Sequence, residues 1–333
     1  MSSNSVTIDV TPKVPLIDEV IHIVVKGLSP CHHATLVCRV LENNARFFST
    51  AIYRSDVNGV VDVSKMAALD GGSYEGVEPM GLIWSMSQEP GQKPGRRMMK
   101  SDVTTPLITH LYLLHGIIPS DECLSFIEDK NWLAYVTFGR LYMAEGVKRI
   151  EVQHGRLVGT LFIPAGQGPF PGVLDLFGSI GGIVEDRSSL LASRGVASLT
   201  LGHFQVGKDK VQYSDLEYFE EGVDYLLSNE KVIKPYIGVI GTSVGGERAA
   251  ALSAYCPKVR VCVLINSHCL PCEYELRYHG KRLAFNHYDR DLVQYSDVGM
   301  ITKYNYTRAR AEKMNSIPVS VRSTTKCHIR STD

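Results

Sequence analysis

The sequence predicts two domains of different class: an N-terminal all-β sandwich, and a C-terminal α/β domain with a doubly wound, mostly parallel sheet. Three observations carry this prediction. Short β-branched segments separated by turn residues fill residues 5–140. From residue 146 onward, strand-like runs alternate with helix-like runs. Within that second part, residues 236–255 have the pattern of a strand, a glycine turn with a serine at its centre, and an Ala-rich helix.

Residues 5–140 show the pattern of an antiparallel sandwich. Three segments are rich in β-branched and aromatic residues, and Asn, Gly and Pro follow each of them. The segments are residues 20–25, 34–40 and 47–53, and the turns after them are residues 27–30, 42–44 and 56–59. No group of residues suited to catalysis appears in this part of the chain, so we expect the chemistry to lie in the second domain.

Residues 146–318 show the alternation that is typical of a parallel sheet with helices on both faces. The predicted strands are residues 157–163, 172–177, 196–201, 236–240 and 259–265. One predicted helix covers residues 185–194, and the next begins with a capping box of Ser214 and Glu217. The apolar side chains of this second helix recur at helical spacing, at Leu216, Phe219, Val223, Leu226 and Leu227.

Residues 241–245, Gly-Thr-Ser-Val-Gly, are the strongest indication of chemistry in the chain. A strand, G-x-S-x-G and a helix together form the nucleophile elbow of the α/β-hydrolase fold. The glycines are required because the backbone turns sharply beside the neighbouring strand and helix. The helix points its amino terminus, with its partial positive charge, at the reacting oxygen. We therefore predict that Ser243 is a catalytic nucleophile.

A second glycine-rich turn lies at the end of a neighbouring predicted strand, at residues 178–182. Ligands of such sheets bind beyond the carboxyl ends of the strands, where Gly178 and Ser243 would both lie. We predict that the backbone amides of Val244 and Gly178 form an oxyanion hole. The alternative is a plain flexible loop between strand and helix. A phosphate-binding loop is disfavoured because no Gly-Lys-Ser/Thr follows.

Composition excludes several classes of function. The formal net charge of zero argues against binding to nucleic acid or to anionic lipid. No apolar run approaches the roughly 18 residues that span a membrane, and residues 1–9 do not resemble a secretory signal. Only Cys269 and Cys272 of the eight cysteines have C-x-x-C spacing, so we expect reduced thiols, no metal site and no cofactor.

Six motifs together resemble the type I acyl-CoA thioesterases and the related bile acid-CoA:amino acid N-acyltransferases. They extend the likeness over nearly all of residues 5–318. The motifs are YRSD at 53–56, GGSYEG at 71–76, EPMGLIW at 78–84, GPFPGVLDLFG at 168–178, YFEE at 218–221 and GTSVGG at 241–246. The resemblance implies an N-terminal β-sandwich, a C-terminal α/β-hydrolase domain and an acyl-CoA substrate.

The residue at the centre of the G-x-S-x-G turn partly distinguishes the two branches of this family. The acyltransferase branch typically carries Cys at this position, whereas this chain carries Ser243. The resemblance therefore implies a hydrolase that releases a free fatty acid and CoA through a serine acyl-enzyme. The alternatives are an acyl-CoA:amino acid N-acyltransferase and a non-catalytic, acyl-CoA-binding truncated product.

The resemblance ends at Pro318. In the family, an apolar strand with the catalytic Asp and a later loop with the catalytic His follow this position. Residues 319–333 form a divergent, polar and basic tail instead. We therefore expect a C-terminally truncated chain, an incomplete α/β-hydrolase domain and weak activity. Asp297 and His328 have the chain order of an acid and a base, but we disfavour them because this tail has nothing to hold a triad in place.

We expect an intracellular protein, in the cytosol, with the mitochondrion and the peroxisome as alternatives. The last three residues, Ser-Thr-Asp, are not the Ser-Lys-Leu address of peroxisomal proteins. The sequence sets neither the oligomeric state nor the length of the acyl chain.

Overall fold

A computed structural model describes residues 5–93, 95–267 and 274–283, together with the backbone of two short strands at 294–295 and 301–302. The chain divides into two compact units, Met1–Glu145 and Gly146–Asp333.

The first unit is built from two antiparallel sheets and two short helices. In chain order its elements are β1 (Thr7–Thr11), β2 (His22–Lys26), β3 (His33–Glu42), β4 (Ala45–Arg54), β5 (Val61–Asp62), α1 (Gly81–Trp84), β6 (Ser87–Gln88), β7 (Leu107–His115), α2 (Cys123–Glu128) and β8 (Ala134–Arg140). One sheet has the strand order β1-β2-β5 and the other β6-β4-β3-β7-β8. The three strands predicted in this part lie within or across β2, β3 and β4.

Both sheets of the first unit contribute to one apolar core. Ile23 and Val25 of β2 belong to the same buried cluster as Leu36 of β3 and Leu111 of β7. Buried and more exposed residues alternate along most of β7. Every second side chain of a strand points to the same face, so one face of the sheet packs into the core.

In its described residues, the second unit contains a six-stranded mixed sheet and three helices of 8 to 13 residues. In chain order its elements are β9 (Lys148–His154), β10 (Leu157–Ile163), β11 (Gly172–Leu176), α3 (Asp186–Ser193), β12 (Ala197–Leu201), α4 (Leu216–Ser228), β13 (Ile237–Thr242), α5 (Val244–Tyr255), β14 (Val259–Ile265), β15 (Arg277–Tyr278), β16 (Lys281–Arg282), β17 (Gln294–Tyr295) and β18 (Ile301–Thr302). The sheet has the order β14-β13-β11-β12-β10-β9. Strands β11 to β14 run parallel to one another. Strand β10 pairs antiparallel both with β12 and with the edge strand β9.

Helices cover both faces of this sheet, as the sequence predicts. Leu174 of β11 lies beside Gly222 of α4, while its neighbour Asp175 accepts a hydrogen bond from Ser188 of α3. Successive side chains of a strand point to opposite faces, so α3 and α4 lie on opposite sides. The predicted stripe on α4 is confirmed, because Leu216, Phe219, Val223 and Leu226 are buried.

The predicted cap of α4 is wrong by one residue. Asp215 is the N-cap, and its Oδ1 accepts a hydrogen bond from the backbone N–H of Tyr218 at 3.1 Å. Ser214 precedes the cap, and its backbone carbonyl accepts a hydrogen bond from the backbone N–H of Arg277. Glu217 accepts a bond from the backbone of His279 and takes no part in a capping box.

This correction predicts which substitution weakens the helix. Asp215→Ala should lower the free energy of unfolding by about 1 kcal/mol, because the amide of Tyr218 loses its partner. Asp215→Asn should retain most of the cap but lose the charge that pairs with Arg156. Ser214→Ala should stay within about 0.5 kcal/mol of the wild type. Urea titration of the three variants measures these free energies of unfolding. A larger loss for Ser214→Ala than for Asp215→Ala would show that Ser214 is the cap after all.

Candidate active site

The turn between β13 and α5 holds Ser243 in an unusual backbone conformation. Its φ is 54° and its ψ is −123°, a region that side-chain-bearing residues rarely adopt. Glycines on either side permit the turn. A Cβ on Gly241 would overlap the backbone of Gly245, and a Cβ on Gly245 would overlap the carbonyl oxygens of Leu176 and Phe177. The G-x-S-x-G spacing is therefore a steric requirement of this turn.

Hydrogen bonds hold the backbone of Ser243 on both sides. Its N–H donates to the carbonyl of Ile265 in β14 at 3.0 Å. Its carbonyl accepts from the N–H of Gly246 at 2.9 Å and from the Ser267 hydroxyl at 2.7 Å. The turn is thus bonded both to its own helix and to the neighbouring strand.

Gly178 lies directly against Ser243. A Cβ on Gly178 would lie 3.2 Å from the Cβ of Ser243 and 3.8 Å from its Oγ. Val244 is the first residue of α5 and its side chain is buried. The structure therefore brings together the three residues that the sequence singles out: Ser243, Val244 and Gly178.

An ion pair between a buried carboxylate and a half-buried arginine lies beside the turn, and the sequence analysis missed it. Arg187 of α3 donates from Nε to Oδ1 of Asp175 at 3.0 Å and from Nη1 to Oγ1 of Thr242 at 2.6 Å. Asp175 is only 1% exposed. A carboxylate inside the apolar run of β11 was the available signal, because a buried charge requires a partner.

A second buried polar cluster lies on the α4 and α5 side of the sheet. Glu247 and Arg248 of α5 form an ion pair at 3.0 Å, and both are buried. His203 follows β12, packs edge-on against Phe219 and is 3% exposed. Burial, and then the positive charge of Arg248, lower the pKa of His203 to about 4.

The lowered pKa of His203 predicts a loss of stability in acid. The ordinary pKa is 6.5, so as the pH falls the unfolded chain binds the proton first. The neutral, buried His203 contributes on the order of 3 kcal/mol to the free energy of unfolding. This contribution is fully present above pH 6.5 and declines as the pH falls from 6.5 to 4. Urea titrations at several pH values should show that His203→Leu removes this part of the pH dependence. The exposed His154→Gln serves as a control, and a pH dependence equal in all three proteins would contradict the prediction.

In the described part of the chain, the hydroxyl of Ser243 has no hydrogen-bond partner that could serve as a base. The described histidines of the second unit lie elsewhere: His154 contacts Tyr225, His203 contacts Phe219 and His279 contacts Tyr278. Four residues that the sequence analysis discussed lie outside the described residues, namely Cys269, Cys272, Asp297 and His328.

Comparison with known proteins identifies the family. The model of the acyl-CoA thioester hydrolase/BAAT N-terminal region matches residues 18–154, and that of the BAAT/acyl-CoA thioester hydrolase C terminus matches residues 214–333. Mouse acyl-coenzyme A amino acid N-acyltransferase 2 is 38% identical over 317 residues, which cover 92% of this chain and 72% of that protein. The chain belongs to the acyl-CoA thioester hydrolase/BAAT family. The resemblance seen in the motifs is confirmed.

Both branches of the acyl-CoA thioester hydrolase/BAAT family are represented among the relatives. Human acyl-coenzyme A thioesterase 1 is 39% identical over 269 residues, which cover 80% of this chain and 61% of that protein. Among solved structures, 2,6-dihydroxy-pseudo-oxynicotine hydrolase matches 34% of this chain and 34% of its own, with 26% identity and a TM-score of 0.30.

Among the described helices, none has the length and apolar character needed to cross a membrane.

Proposed function

We propose that this chain acts on fatty acyl-CoA thioesters, with Ser243 as the nucleophile. The observation that carries the proposal is the position of Ser243, held at positive φ between β13 and α5 with Gly178 against its side chain. Membership of the acyl-CoA thioester hydrolase/BAAT family supplies the substrate class. We also infer that the first unit is a β-sandwich, because its two sheets contribute to one core.

The proposed reaction has two steps. The Oγ of Ser243 attacks the thioester carbonyl, the C–S bond breaks, and CoA leaves as the thiol after taking up the serine proton. The amides of Val244 and Gly178 donate to the oxygen that becomes negative in the tetrahedral intermediate. Water then cleaves the acyl-serine ester and releases the free fatty acid. The acid and base of this mechanism are not matched by the family motifs that the chain carries, so we propose that its turnover is slow.

Product analysis tests the proposed hydrolysis. Purified protein is incubated with a long-chain acyl-CoA, with and without glycine or taurine, and the products are quantified by mass spectrometry. Release of fatty acid and CoA that is independent of the amino acid supports the hydrolase. N-acyl amino acid as the main product would support acyl transfer, which the similarity to the mouse N-acyltransferase favours as the second candidate. Binding of acyl-CoA without any product would contradict both reactions.

We propose that the protein is intracellular, in the cytosol, with the mitochondrion and the peroxisome as alternatives, since acyl-CoA esters are intracellular thioesters and the cysteines that the structure describes are free thiols.

A further inference from the structure

One guanidinium group connects the two strand ends that carry the proposed chemistry. Arg187 reaches from α3 to Thr242, the residue immediately before Ser243, with 2.6 Å between Nη1 and Oγ1. Its Cζ also lies 5.8 Å from the ring centre of Phe177, the residue immediately before Gly178. The nucleophile and the proposed oxyanion loop are thus each one residue away from a contact with Arg187.

The position of this guanidinium is itself fixed by a buried carboxylate. Two nitrogens of Arg187 donate to Oδ1 of Asp175, while Oδ2 accepts from the Ser188 hydroxyl at 2.9 Å. The Ser188 hydroxyl in turn lies 2.9 Å from the hydroxyl of Ser198 on β12. A charge held by several hydrogen bonds in a buried site has little freedom to move. Asp175 therefore presents Arg187 to Thr242 in one orientation.

The backbone of Ser243 needs such an anchor. A side-chain-bearing residue in this region of φ and ψ is strained by about 1–3 kcal/mol and keeps its conformation only when its surroundings hold it there. Hydrogen bonds to Ile265, Gly246 and Ser267 hold the backbone of Ser243 itself. Thr242, the residue before it, is paired with β14 through its backbone and bonds Arg187 through its side chain.

We propose that Arg187 is a positioning residue that, through the hydroxyl of Thr242, fixes the direction in which the side chain of residue 243 points. This inference rests on the proposed function only in that the hydroxyl of Ser243 is the reacting group. The competing explanation is that the ion pair of Asp175 and Arg187 contributes only to stability. The two explanations differ in what Thr242 does, because removing its hydroxyl leaves the ion pair intact.

The test uses a thiol as a reporter at the elbow. Ser243→Cys is prepared alone and combined with Thr242→Val or with Thr242→Ser. Alkylation by iodoacetamide at position 243 is followed by peptide mass spectrometry from pH 6 to 10, which gives the pKa of that thiol and its rate constant. A thiol directed at a helix amino terminus has a lowered pKa. We expect Thr242→Val to raise the thiol pKa by about one unit and to slow alkylation several-fold at neutral pH, whereas Thr242→Ser retains the hydroxyl and the profile.

Thermal unfolding of the same proteins separates positioning from stability. A thiol profile that is identical for Thr242→Val and Thr242→Ser overturns the proposal, whether or not the two differ in thermal stability. A third variant, Arg187→Lys, keeps the charge but cannot bridge Asp175 and Thr242 with a fork of donors, and it should match Thr242→Val. Alkylation needs no acyl-CoA and no catalytic base, so failure of the proposed hydrolysis would leave this result interpretable.

Discussion

Ser243→Ala is expected to abolish acylation of the protein by acyl-CoA. Enzymes with a serine nucleophile lose on the order of 10⁴-fold or more in kcat when it is removed. Peptide mass spectrometry after incubation with a long-chain acyl-CoA should find the acyl group on the peptide that contains Ser243 in the wild type and in the control Ser253→Ala. Ser253 lies on the same helix and bonds only its own turn.

Ser243→Cys should increase the acylation at position 243 that the same experiment measures. A thiol ionises far more readily than a serine hydroxyl, so it depends less on a general base. If the chain lacks an effective base, as we propose, Ser243→Cys should be acylated faster than the wild type and accumulate the thioester. Acylation of Ser243→Ala at the wild-type rate would show that another residue is the nucleophile. Acylation of the wild type faster than that of Ser243→Cys would show that an effective base is present.

Apolar strands were predictable from the sequence because their pattern is local. The predicted segments 157–163 and 259–265 match β10 and β14 residue for residue, since each is a run of β-branched and apolar residues next to turn residues. Strand β9 was not predicted. It lies at the edge of the sheet, and only Val152 among its seven residues is buried, so no hydrophobic pattern marks it.

The candidate site likewise contains residues that a local sequence pattern predicts and contacts that no such pattern predicts. The placement of Ser243 and Val244 in the turn between β13 and α5 was predictable because a short motif and its strand–turn–helix context lie together in the sequence. Gly178 is distant in the sequence, and it was expected beside them because ligands of such sheets bind beyond the carboxyl ends of the strands. The contact between Arg187 and Thr242 joins residues 55 positions apart, and no pattern along the chain relates them. The cap of α4 was misplaced because Ser214 and Asp215 are both good caps, and only the backbone conformation of Asp215, φ −111° and ψ 140°, distinguishes them.

Gly245→Ala is expected to have the largest effect on the fold of the elbow. The added Cβ would overlap two backbone oxygens, those of Leu176 and Phe177. Backbone atoms of a central strand cannot move aside as the end of a flexible side chain can, so α5 must shift away from β11. Overpacking of this kind costs about 3 kcal/mol, which corresponds to a fall in the melting temperature of on the order of 6–12 °C.

Gly238→Ala is the matched control for this loss. Gly238 lies in β13, the strand that leads into the elbow, and a Cβ there would lie 3.4 Å from Val173 and 3.7 Å from Val261. These are ordinary contact distances, and alanine loses less conformational entropy than glycine on folding. Thermal unfolding should therefore leave Gly238→Ala at or slightly above the wild-type melting temperature, while Gly245→Ala melts lower and is no longer acylated at Ser243. Equal melting temperatures for the two variants would mean that α5 does not press against the end of β11, and the steric origin of the G-x-S-x-G spacing would then have to be abandoned for this chain.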